Sequence, residues 1–353
     1  PYASLDDDTT VDLLAGPDIE GTIRLSSAQE PTEIWFFENA DDALGEGRNN
    51  SPVLLEIHEK LLGRPAHCCL ENQGDAVAGA SDGLRRMVQE GRGHVALTSL
   101  GLRGDSGMGS SRYYLFTEGE TRQRLVSDKE RYRALSETRW ILRCAPRATI
   151  TGSHFLMATG IGLDNRMCLP PYFPVGRNQE GIMAIVLKRV APWALIGHLP
   201  WMLRHVPPNP RKNSGSANIA AAAGWNLDGL VIQCVLDWHC PGGEARIEDR
   251  LRSLGRHLRW LGHLSIDEFW EFLLHRARHT MARTVEKIEQ TLTKHDESPS
   301  WWADDLERTR EAMIEALPSK ELVVPRDLAS GRDPEEALGL FRGAIGQYGE
   351  LLL

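Results

Sequence analysis

The sequence has no apolar run long enough to cross a membrane, no Cys-x-x-Cys pair and no excess of basic charge, and each absence closes off a class of function. Its most apolar window, "APWALIGHLPWML" (191–203), contains two prolines and a His and falls far short of the roughly 20 residues a spanning helix requires. No transmembrane segment is expected, which leaves at most peripheral membrane contact. No basic stretch followed by an apolar one opens the chain, so no secretory signal is visible and a cytoplasmic location is expected. The six cysteines (Cys68, Cys69, Cys144, Cys168, Cys234, Cys240) are too few and too scattered for a disulfide framework and are read as reduced thiols. His67 and His239 stand beside cysteines in "AHCCLE" and "DWHCPG", and a buried structural role is the expectation for both. A formal net charge of −9 argues against a nucleic-acid binder held by a global basic field. No internal repeat of 20 to 50 residues is present.

What is there is the composition of an ordinary globular protein: 353 residues, 41% hydrophobic and 25% charged, enough for one large core or two moderate ones. Up to about residue 215, short apolar runs alternate with loops rich in Gly, Asp, Asn and Pro. The strand candidates are "GTIRLSS" (21–27), "EIWFFEN" (33–39), "HVALTSLG" (94–101), "RYYLFTEG" (112–119) and "RATITGSHFLMAT" (147–159). Between them, "SPVLLEIHEKLLGR" (51–64), starting at Ser51-Pro52, and "SDGLRRMVQEGRG" (81–93) have helix start and stop signals. Interleaved strands and helices predict an α/β fold. Beyond a small-residue stretch, "SGSANIAAAAG" (214–224), the spacing predicts helices over 244–264, 265–295 and 300–317, the middle one opened by a Ser265/Glu268 capping box. The Arg and His residues on these helices, such as Arg256, His257 and Arg259, read as a solvated or packing surface.

Three constellations carry chemistry. In "YASLDDDTT" an apolar stretch ends in Asp6-Asp7-Asp8, and two carboxylates one residue apart at a strand end can share one divalent cation that neutralises a diphosphate. A solvated acidic end is the bland reading of the same residues. In "GIGLDNRMCLPPYFPVGRNQEGIMA" (160–184), Pro170, Pro171 and Pro174 stiffen a loop that presents Asp164, Arg177 and Glu180. Glu180, just ahead of an apolar helical run, is a candidate general base, with a helix-capping carboxylate as the alternative. Asp164 is the second candidate catalytic carboxylate, and Arg177 is a candidate phosphate contact. Downstream, His198 and His205 lie seven residues apart. His205, on what reads as a loop, is a candidate metal ligand.

Together these residues resemble glycosyltransferases of the GT-A type, in particular the family-2-like group. The resemblance covers about residues 1–210 and implies a partial Rossmann-like mixed sheet over 1–215, followed by a mainly α-helical region, 216–353, with no counterpart in the family. It implies Mn²⁺ or Mg²⁺ held by Asp6 and Asp8 with His205, a nucleotide-sugar donor contacted through Asp6, Asp7, Asp8 and Arg177, and a hydroxyl acceptor activated by Glu180. Where the family has an acidic pair, this chain reads Gln179-Glu180. The family also has about a hundred residues ahead of its Asp-x-Asp. The expectation is therefore that this chain lacks the nucleotide-binding half and is inactive alone.

Two other readings stay open. "SLDDDTTV" also fits the opening motif of haloacid-dehalogenase-like phosphohydrolases, with Asp6 as nucleophile, Asp8 as acid/base, Thr98 or Ser99 as second motif and Asp105 in "RGDSGMGSS" as an imperfect third. Alternatively, tryptophans such as Trp193, Trp201 and the Trp301-Trp302 pair build a surface on a non-catalytic scaffold.

Overall fold

The computed structural model describes residues 2–5, 9–16, 18–45, 53–70, 73–107, 111–157, 159–208, 225–240, 246–319 and 323–353. Its strands are β1 (Tyr2–Leu5), β2 (Thr9–Ala15), β3 (Arg24–Ser26), β4 (Glu33–Phe36), β5 (His94–Asp105), β6 (Trp140–Cys144), β7 (Thr149–Thr151), β8 (Gly160–Leu163) and β9 (Ala194–His205). Interleaved with them are the helices α1 (Ala40–Leu44), α2 (Leu54–Glu59), α3 (Gln73–Ala76), α4 (Asp82–Gln89), α5 (Gly119–Leu125), α6 (Lys129–Glu137) and α7 (Gln179–Val190). The later elements are α8 (Leu227–Asp237), α9 (Ile247–His263), α10 (Ile266–Lys294), α11 (Ser300–Ala316), α12 (Arg326–Ala329) and α13 (Pro334–Leu351).

β5 and β9 are almost continuously buried, as strands covered on both faces must be, and they lie side by side in parallel at the centre of a mixed sheet. Each changes partner halfway. The first half of β5 pairs with β8, which carries β1, and its second half pairs with β6, which carries β4. β9 pairs first with β7, which carries β3, and then with β2. The fork has a local cause. A bulge between Ser99 and Gly101 shifts the register. At Gly101 a Cβ would stand 2.4 Å from the Arg143 carbonyl oxygen, so only glycine lets β6 approach. Pro200 occupies the matching position in β9, where no N–H is needed, and its carbonyl accepts the Gly16 amide at 2.7 Å.

One face of this sheet packs on α2 and α4 through Ile57, Leu61, Leu84 and Val88. The other face packs on α7 through Ile182, Val186 and Val190, and the same apolar cluster runs on without a break into α8, α9, α10, α11 and α13. α7 ends at a turn in which Ala194 donates to Ala191, at the start of β9. α7 thus runs back along the sheet, its N-terminus directed toward the C-terminal ends of β5 and β9, the side on which open α/β sheets hold ligands.

The sequence expectations meet this architecture unevenly. A mixed α/β sheet is present, and α10 carries the Ser265/Glu268 capping box. "RYYLFTEG" is not a strand: Ser111–Phe116 is a 3₁₀ turn in which Tyr114 and Leu115 are buried one after the other, a pattern an alternating strand does not give. Only Thr149–Thr151 of the 147–159 run is strand. His198 and His205 lie on β9 and not on loops. Trp201 and Trp302 are buried, while Trp193 and Trp301 are half-buried against the core, so these tryptophans anchor packing and do not form an exposed surface. Ser51, Pro52 and the 214–224 stretch lie outside the described residues.

Candidate active site

The C-terminal edge of the central strand pair holds His205 and is reached by Arg177, two of the residues singled out in the sequence. Asp6, Asp7 and Asp8 lie outside the described residues, but the chain on either side of them is fixed. Leu5 pairs with Gly160 on β8, and Thr9 pairs with His205, the last residue of β9. His205 is buried, and its Nδ1 donates to the backbone carbonyl of Asp105 at 2.5 Å. A carbonyl can only accept, so Nδ1 carries the hydrogen and the lone pair of the neutral ring resides on Nε2.

Asp105, the last residue of β5, is itself held from both sides. Arg139 meets its carboxylate in a two-pronged contact, Nε to Oδ2 and Nη2 to Oδ1, both at 2.8 Å, and the two side chains are buried together. Oδ1 also accepts the Gly107 amide at 2.8 Å. Burial alone would raise the Asp105 carboxyl. The bonds from Arg139 and Gly107, with the charges of Arg139 and His205, outweigh it and keep the group below the usual carboxylate range. Two glycines make room for the arrangement. A Cβ on Gly104, whose φ is +131°, would fall 2.1 Å from the His205 carbonyl oxygen, and one on Gly107 would touch the His205 ring at 3.4 Å.

Gly107 links this centre to the second constellation. Its carbonyl accepts a bond from Arg177 Nη2 at 3.1 Å. Three residues on, Glu180 is half-buried in the first turn of α7, where the helix dipole favours a carboxylate. The entry to that helix is tight: Gly176 and Asn178 both take left-handed backbone angles, φ +81° and 59°, and the Asn178 side chain donates to Asp228 at 3.0 Å instead of capping its own helix. Arg177 thus reaches the sheet edge at which His205 stands, and Glu180 follows it by three residues at the start of α7.

Asp164 does not join them. Its amide donates to Ala96, near the start of β5, whereas His205 bonds the end of that strand; the rise from 96 to 105 at about 3.3 Å per residue separates the two by roughly 30 Å. The Asp164 carboxylate is buried and committed. It accepts from Arg166 Nε at 2.7 Å and from His94 at 2.8 Å, while Arg166 also reaches the Gly63 carbonyl at 2.7 Å. Burial pushes this carboxyl up, but the bonds from Arg166 and His94 prevail and hold it at about 2. Asp164 therefore braces the opposite end of the sheet, and its geometry gives it no contact with the edge at which His205 stands.

Of the phosphohydrolase candidates, Asp6 and Asp8 lie outside the described residues, and the others are engaged elsewhere. Thr98 is buried midway along β5 with its hydroxyl 2.7 Å from His58 Nδ1, and Asp105 has both carboxylate oxygens occupied by Arg139 and Gly107. His67 and His239 are exposed and not buried as expected, and among the described residues no three His, Cys, Asp or Glu side chains come together to hold an ion. No disulfide joins any of the six cysteines. The clamp on His205 had one sequence signal, Asp105 between Gly104 and Gly107. Its partner Arg139 comes from a distant "ETRW" stretch that nothing local marks.

Comparison with protein-family models, with curated proteins and with solved structures gave no match for this chain.

Proposed function

We propose that this chain carries the metal- and acceptor-side edge of a glycosyltransferase, which moves a sugar from a nucleotide-sugar donor to a hydroxyl acceptor. The observation that carries the reading is the pairing of Thr9 with His205. It ties the residue that follows the three aspartates to a histidine whose Nε2 bears the lone pair, on the sheet edge that Arg177 reaches through Gly107. Carboxylate oxygens and one imidazole are a donor set that suits Mn²⁺ or Mg²⁺. Asp6, Asp8 and Nε2 of His205 would hold such an ion, which supplies positive charge to the departing diphosphate. Glu180 accepts the proton of the acceptor hydroxyl as its oxygen bonds to the anomeric carbon and the bond from that carbon to the diphosphate breaks. Arg177, fixed on Gly107, meets the charge that gathers on the leaving group.

Calorimetric titration with nucleoside diphosphates, with and without Mn²⁺, tests this reading. Binding that requires the metal and is lost in Asp8→Asn and His205→Asn supports it. Metal-independent binding, or release of phosphate from small phosphomonoesters through an aspartyl intermediate, overturns it.

A further inference from the structure

A buried ion pair is a poor way to stabilise a fold, because taking both charges out of water offsets most of their attraction. Asp105 and Arg139 form such a pair at 2% and 6% exposure, at the point where the Asp105 carbonyl grips His205. Every other bond around residue 105 turns toward the same end. The Asp105 carboxylate closes a turn onto the Gly107 amide, and the Ser106 amide donates to the Arg139 carbonyl at 2.8 Å. Side chain and following backbone are locked together, so the plane of the 105 peptide, and with it the direction of its carbonyl, has no freedom left. The geometry points to Arg139 as a positioning residue: acting through Asp105, it fixes the carbonyl that holds Nδ1–H of His205 and so keeps the lone pair of the ring on Nε2.

This deepens the glycosyltransferase reading, on which it rests only for the identity of what Nε2 meets. The histidine of a metal site is commonly oriented by a hydrogen bond to its remote nitrogen, and loss of that partner weakens metal binding by roughly tenfold or more. Lysine in place of Arg139 keeps the charge but cannot reproduce the fork.

Long-range proton–nitrogen correlation spectra of the chain labelled at histidine nitrogen read the tautomer directly, with His205 assigned from its loss in His205→Asn. The wild-type protein, at a pH where the ring is neutral, is expected to show the Nδ1–H form alone. Arg139→Lys is expected to show both tautomers and, in titrations monitored by the spin-resonance signal of free Mn²⁺, about tenfold weaker Mn²⁺ binding. Asp105→Asn, which keeps the shape of the side chain, gives the same readout if the lysine variant does not fold by circular dichroism. An Nε2–H form in the wild type, or an undisturbed Nδ1–H form in the variants, overturns the inference. A tautomer change with unaltered Mn²⁺ binding upholds the positioning role and removes the metal from the proposed function.

Discussion

His58 and His198 are imidazoles sealed in the core. Burial pushes His58 down to about 4, and burial with the charge of Arg143 nearby pushes His198 down to about 3. Each folded-state value lies below the ordinary 6.5, so the unfolded chain takes up the proton first as pH falls, and stability present at neutral pH drains away from about 6.5 downward. Between pH 7.5 and 5 each residue is expected to remove about 2 kcal/mol, read from urea unfolding at the two pH values. His198→Phe, which keeps a ring stacked on Phe155, should flatten that dependence by about the share of one histidine. The buried ion pair gives a second expectation at this scale. Arg139→Met strands the Asp105 charge and should cost about 3–5 kcal/mol in the same unfolding experiment. Replacing both partners with apolar residues should cost less than the single change. Neither behaviour was legible in the sequence, where neither His198 nor Arg139 carries a mark of its final surroundings, because these are set by contacts between distant residues, as between Arg139 and Asp105, 34 positions apart.

At the scale of elements, the sequence is readable where the local pattern and the final environment agree. α10 announces itself by its capping box, and α7 by the apolar run behind Glu180. The 3₁₀ turn at Ser111–Phe116 does not, because a row of aromatic residues has high strand propensity wherever it goes, and only the packing of Tyr114 on Tyr132, with ring centres 6.0 Å apart, fixes it as a turn. The most demanding element contact is equally silent in the sequence. α9 and α13 cross on glycines: a Cβ on Gly262 would fall 2.5 Å from the Gly346 Cα, and one on Gly349 would fall 2.5 Å from the Arg259 amide nitrogen. Alanine normally stabilises a helix relative to glycine by about 1 kcal/mol, yet here overpacking dominates, and Gly262→Ala is expected to destabilise by roughly 1–3 kcal/mol. Gly343→Ala, on the same α13 with nothing within 4 Å of the added carbon, should have the opposite sign. Thermal melts of the two variants side by side check the pair, and equal effects would mean the helices do not cross at Gly262.

For the whole molecule, the division at residue 215 marks a change of element type and not a break in the core. One apolar cluster joins Ile34 and Leu97 of the sheet region to Trp302 and Tyr348 of the helical region. Polar ties reinforce it: Arg122 lies over the Trp302 ring at 4.3 Å, and Tyr132 donates to Asp305 at 2.8 Å in a buried bond. The helical half also reaches the loop that carries Arg177 and Glu180. Tyr348 on α13 donates its hydroxyl to the Pro171 carbonyl at 2.9 Å and sets its ring edge-on against the buried Phe173, and Asp228 on α8 holds Asn178. The prolines that read as a stiff loop in the sequence are thus only part of its rigidity; the rest comes from α8 and α13, through contacts 50 and 177 residues further on, which no local pattern reveals. Two consequences follow from a shared core. Unfolding monitored by tryptophan fluorescence and by far-ultraviolet circular dichroism should give one coincident transition, since neither half can open without exposing the other's apolar face. Tyr348→Phe should lower stability by about 1 kcal/mol through the lost hydroxyl bond. If the helices brace the acceptor loop, the same variant should also weaken any ligand that engages Arg177 without affecting one held by His205 alone. Two separated transitions, with Tyr348→Phe silent in both readouts, would make the helical half an appendage and leave the loop's rigidity to its prolines.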